Sequence, residues 1–165
     1  MSNTPVPDNV REALVAQFNT ERYNAACYKS VQSAFEAVNW HGFAAWCGKS
    51  SQEETDHSNR FFKYLADRQA EIAVEAIPQP PEFFGEDLLD NFDAILKLEV
   101  DTTAKIQSLA RLALDMNDFL TLEFLQWFLK EQYDSEAKVV QIIADLEHGQ
   151  CDAARIAIDR ELGGA

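Results

Sequence analysis

The chain has 165 residues, 47% of them hydrophobic, with 14 Lys plus Arg against 28 Asp plus Glu and a formal charge of −14. That length and apolar content suit one domain, residues 1–165, with a sizeable core, and argue against disorder. The acidic balance argues against a nucleic-acid partner, no apolar run approaches membrane-spanning length, and only 6 Gly and 5 Pro leave little for a turn-rich β fold.

Apolar residues recur at helical spacing through nearly the whole chain. The first predicted helix covers about 8–37, opening on a Pro-Asp start and carrying Leu14, Phe18, Tyr28, Val31 and Phe35. The second covers about 41–69 through Phe43, Trp46, Phe61 and Leu65, the third about 86–114 through Phe92, Ile95, Ile106 and Leu109. The fourth covers about 118–147, and a short fifth, about 151–162, stops at a Gly pair. Links near Asn39–Gly42 and at "DMND" are short, so helices one and two, and three and four, pair antiparallel. "AEIAVEAIPQPPEFFG" joins two to three, and its prolines favour extended chain. Roughly 16 residues at about 3.3 Å each reach some 50 Å, longer than a helix of ~28 residues. The predicted fold is all-α: a four-helix bundle with one long crossover between helices two and three, plus a short C-terminal helix.

Every stripe is interrupted by polar residues. Glu21 falls in the series Leu14, Glu21, Tyr28, Phe35; Glu54 and His57 fall between Trp46 and Phe61; Glu99 lies between Ile95 and Ile106; Gln132 lies between Phe128 and Val139. All sit near mid-helix, so antiparallel packing brings them to one level. Three carboxylates in an apolar interior would repel one another and lose several kcal/mol of hydration, unless a cation joined them. Carboxylates with a single imidazole suit iron or manganese. Glu21, Glu54 and His57 would hold one metal; Glu99, with Glu54 bridging, would hold a second, with Gln132 close by. An isolated Glu-x-x-His is usually only a polar helix face; four interruptions at matched depth are harder to dismiss.

The blocks "NTERYNAACY", "QEETDH", "LEVDTTAKIQSLA", "FLQWFLKEQYDSE" and "IDREL" resemble those of non-haem, prokaryotic-type ferritins over nearly the whole chain. The resemblance implies a ferritin-like bundle that assembles into a hollow shell of twenty-four subunits. It also implies Fe(II) oxidation by dioxygen at an intrasubunit di-iron ferroxidase centre, and storage of ferric mineral. On this resemblance Glu21, Glu54 and His57 match the first iron position and Glu54 and Glu99 the second. Tyr28 matches a tyrosine beside the centre that supplies an electron, with a core tyrosine of satisfied hydroxyl as the competing reading, and Gln132 matches a glutamine near the second iron. Trp127 matches a neighbouring aromatic that packs. Glu53, Glu131 and Asp134 fall where a third iron site would be, with a solvated acidic face as the competing reading. Where many bacterial members carry a glutamate one turn after the glutamine, this chain has Ser135, with Glu136 one position off the facing register. Channel acids of animal ferritins fall near Leu122 and Leu125, leaving Asp118 or Glu123 as substitutes for iron access. The only methionines are Met1 and Met116, so haem is not expected.

The rival readings are a catalytically slow cage subunit and a rubrerythrin-like di-iron peroxidase, the latter lacking its second Glu-x-x-His and its cysteine set here. An ordinary helical interaction module would leave the aligned polar positions unexplained. Three cysteines without metal spacing, and an N-terminus without signal-peptide features, predict a cytoplasmic protein, or one in an organelle such as a plastid if a transit peptide was trimmed.

Overall fold

A computed structural model describes residues 5–82 and 87–164. Five helices follow in order: α1 (Asp8–Ala37), α2 (His41–Asp67), α3 (Leu88–Asp115), α4 (Phe119–His148) and α5 (Asp152–Leu162). Met1, residues 83–85 of the crossover and the predicted helix start at Glu86 lie outside the described residues. None of the helices is long and apolar enough to cross a membrane, among the described residues.

The helix ends explain the small departures from prediction. α1, α2 and α3 stop in the same way: Asn39, Gln69 and Asn117 take positive φ of 64°, 55° and 55°. In each case the next amide turns back to a carbonyl five residues earlier, as in Trp40 to Phe35, Ala70 to Leu65 and Asp118 to Ala113. This is the left-handed stop usually made by glycine. At residues 68–69 no glycine announces it, and α2 therefore ends two residues before the apolar pattern suggests. Asp118 is the N-cap of α4, accepting from the Thr121 amide at 3.2 Å and its hydroxyl at 2.6 Å, with Arg68 3.7 Å away. Asp118 is thus committed to a buried cap, which removes it as an iron-access acid on the free surface. Leu125 is fully buried in the core.

Two apolar clusters fill the bundle. One joins Leu14, Phe18, Phe61, Leu65, Ile106, Ala113, Leu125 and Phe128. The other joins Tyr28, Phe35, Phe43, Phe92, Ile95, Val139 and Leu146. Each draws on the early part of one helix and the late part of the next, so α1 and α4 run one way and α2 and α3 the other. The chain must therefore return along the whole bundle between α2 and α3. It is held to α1 on the way: Asn19 donates to the Ala73 carbonyl and accepts from the Glu75 amide, and Arg22 donates to the Glu75 carbonyl at 2.7 Å.

α5 buries no residue fully, yet it is fixed at the start of α2. Asp159 accepts from the amides of Gly42 and Phe43 at 2.8 and 2.9 Å, satisfying donors that a helix leaves orphaned in its first turn. The approach is so close that a Cβ on Gly42 would lie 1.5 Å from the Asp159 carbonyl oxygen. Asp159→Ala should cost about 1 kcal/mol in chemical unfolding, the usual worth of such a cap. Gly42→Ala should cost more, because α5 has to move bodily; equal stability in both variants would refute this docking.

Candidate metal centre

Between the two apolar clusters lies a polar layer drawn from all four long helices. Glu21, Glu54, His57, Glu99 and Gln132 are each 4% exposed or less. Contacts tie them together: Glu21, Glu54 and His57 form one group, and Gln132 reaches Glu99.

Glu21, Glu54 and His57 each offer a ligand atom within 4.8 Å of the others. His57 Nδ1 stands 3.6 Å from Glu54 Oε1 and 3.9 Å from Glu21 Oε2. Those gaps are too long for hydrogen bonds. Two atoms bonded to a single ion at ~2.1 Å stand about 3–4 Å apart, so the spacing fits an ion between them. Glu21 Oε2 and His57 Nδ1 are moreover buried without a hydrogen-bond partner. Two acceptor-capable atoms left bare in a protein interior are costly, and a shared cation satisfies both.

Glu99 completes the layer from α3. The Tyr28 hydroxyl donates a short hydrogen bond to its Oε1, and Gln132 Nε2 donates to its Oε2 at 3.1 Å. Trp127 sets its ring edge-on to His57, centroids 5.5 Å apart, while the Arg60 guanidinium covers its other surface at 3.7 Å. It holds the imidazole in place by packing.

Several polar partners had no place in the sequence reading. Gln17 donates to Glu21 Oε1 at 2.7 Å, and Asn24 reaches Glu54 Oε2 at 3.4 Å and the Thr102 hydroxyl at 2.9 Å. Thr103 accepts from Gln132 at 3.4 Å and donates a short bond to Glu136. A signal for them existed, since Gln17 and Asn24 lie four before and three after Glu21, and Thr102 and Thr103 three and four after Glu99.

The acids proposed for a third metal are placed differently. Glu53, Glu131 and Asp134 are half-buried, and among the described residues they do not converge as a donor group as Glu21, Glu54 and His57 do. Glu131 and Asp134 line a groove of about 600 Å³ between α4 and α5, and Glu53 has Lys49 at 3.9 Å.

Electrostatics follow burial. Loss of water, then the Glu54 charge, raises the Glu21 carboxyl well above the ordinary range, against the lowering effect of the Gln17 hydrogen bond and of His57. Glu54 is pushed up to about 8 by burial and then by Glu99. Burial also raises Glu99, against the lowering effect of its bonds from Tyr28 and Gln132. A carboxyl raised in this way favours the folded state only while protonated. Its contribution is complete below the unfolded value near 4.5 and is lost as pH rises through about 8. Metal-free protein should therefore lose stability between about pH 5 and 8, at up to ~1.4 kcal/mol per pH unit for each such proton. Glu54→Gln should flatten the slope, and saturating divalent cation should reverse it. A flat metal-free profile would contradict the burial of these acids.

The family described as Ferritin-like domain matches residues 11–148. A bacterial non-heme ferritin of Staphylococcus aureus is 30% identical over 156 residues, covering 94% of this chain and 93% of its own. Another, from Staphylococcus saprophyticus, is 33% identical over 126 residues, 76% of this chain and 75% of its own. Among solved structures, an open-pore ferritin from the archaeon Archaeoglobus fulgidus superposes with TM-score 0.93 at 31% identity, covering 96% of both chains. A closed form of that ferritin, made by site-directed mutagenesis, gives 0.92 at 32% identity over 96% of both chains. The bundle, its crossover and the matched length converge on one conclusion: the chain belongs to the ferritin family of iron-storage proteins.

Proposed function

We propose that this chain is a ferroxidase subunit, cytoplasmic, that oxidises Fe(II) at its mid-bundle centre and stores the ferric product in a hollow shell of twenty-four copies. The observation that carries the reading is the buried ligand group of Glu21, Glu54 and His57, with Glu21 Oε2 and His57 Nδ1 bare, beside Glu99. Iron here is substrate and cargo. Glu21 and His57 would bind one Fe(II), Glu99 the other, and Glu54 would bridge them. Each Fe(II) gives one electron to a shared dioxygen, which takes up two protons and leaves as hydrogen peroxide. The raised carboxyls supply protons as metal displaces them, and once ionised they stabilise the ferric charge. Tyr28, bonded to Glu99, stands where an electron could pass to the second iron.

The shell and its interior acids rest on kinship: the A. fulgidus neighbours are described as open-pore and closed-form ferritins. The compartment rests on Cys27, Cys47 and Cys151, all free thiols. Glu53, Glu131 and Asp134 remain candidates for a third iron position only if their side chains swing together when iron arrives.

Anaerobic Fe(II) loading followed by air should give a fast ferric absorbance phase that saturates at about two irons per chain. Glu54→Ala should remove that phase by more than the ~10–100-fold typical of losing an outer partner, with assembly intact by size-exclusion chromatography. A parent without the fast phase would identify a mineralising subunit instead, and a Glu54→Ala variant as fast as the parent would displace the chemistry from this centre.

A further inference from the structure

The two halves of the centre are unequally furnished. Glu21, Glu54 and His57 crowd the first metal position, whereas Glu99 and the shared Glu54 are the carboxylates of the second. Position 135, where the family resemblance implies a glutamate, is serine. The antiparallel register shows what stands there instead. α3 ends at Asp115 and α4 begins at Phe119, so the junction turns about Asn117. Equal steps outward, eighteen residues each way, bring Glu99 level with Ser135 and its neighbour Glu136. The Glu136 backbone thus leaves α4 at the height of Glu99, and as the fourth residue after Gln132 it shares that side chain's face.

The half-buried Glu136 side chain turns inward rather than to solvent. It accepts the Thr103 hydroxyl, which in turn accepts from the Gln132 amide, whose nitrogen also donates to Glu99. A hydrogen-bonded chain therefore runs from Glu136 to Glu99 across the site. Near Glu99, its negative charge is unfavourable without a cation. Among the described residues the Thr103 hydroxyl alone holds it, and a rotation about side-chain bonds would free it for a metal.

We infer that Glu136 is the missing carboxylate of the second iron position, held in reserve by Thr103 until the metal arrives. The inference rests on the di-iron reading above and deepens it. It assigns the chain a second position of ordinary carboxylate content, supplied from four residues after the glutamine rather than three.

The test is equilibrium titration of the assembled, metal-free protein with Co(II), whose visible absorption reports each ligand set. Glu136→Gln still accepts from Thr103, so the helix packing survives while the charge is lost. The parent should take about two equivalents. Glu136→Gln should bind the second at least about tenfold more weakly and leave the first unchanged. Ser135→Glu added to Glu136→Gln should restore the second equivalent. Glu147→Gln, which removes the same charge from an exposed site on α4, should change neither. Two unchanged equivalents in Glu136→Gln would overturn the inference and leave the di-iron reading standing. Equal weakening by Glu147→Gln would overturn it too, as a general field effect. A parent that binds no paired Co(II) would overturn both.

Discussion

Burying three carboxylates in one layer of a helical bundle is the constraint around which this molecule is built. Water would hydrate each by several kcal/mol more than the interior does, and their mutual repulsion adds to that cost. Only protons, hydrogen-bond donors or cations can offset it. The protein supplies donors: Gln17, Asn24, Tyr28 and Gln132 point at the acids, while burial shifts the Glu21 carboxyl toward its protonated form. Within this layer, among the described residues, Glu21 Oε2 and His57 Nδ1 still lack partners, and these face the same small space. The arrangement is satisfied only when something positive enters.

Holding such a layer together requires a scaffold that does not relax around it. Apolar clusters above and below clamp each helix on both sides of its polar residue. The hydrogen-bonded stops at Asn39 and Asn117 set the antiparallel register of α1 with α2 and of α3 with α4. The crossover is bonded to Asn19 and Arg22, on either side of Glu21, so the returning chain braces α1 at the level of the centre. Fold and site are therefore one design: the long crossover lets α2 and α3 run parallel, and that direction brings Glu54 and Glu99 to the same height.

Much of this was legible in the sequence, and the reason is physical. A glutamate in an apolar stripe violates helical periodicity, and four violations at matched depth survive the uncertainty of any one. Helix spans followed from the same periodicity, with errors at residues 68–69 and 118, where a left-handed stop without glycine and an aspartate cap carry no apolar signature. Periodicity assigns a residue to a face but says nothing of where a long side chain ends. It therefore missed Gln17 and Asn24 as partners, and the resemblance that singled out Ser135 and the Glu53, Glu131 and Asp134 group carried no side-chain geometry either. The carboxylate and imidazole set pointed to iron or manganese, and the family resemblance added ferroxidase chemistry and the shell.

Anomalous diffraction from crystals soaked anaerobically in Fe(II), with data on both sides of the iron absorption edge, addresses the central claim most directly. The account predicts two peaks within bonding reach of Glu54. One lies against Glu21 and His57 and the other against Glu99. A single peak elsewhere in the bundle, or iron only on the solvent-facing acids, would contradict it.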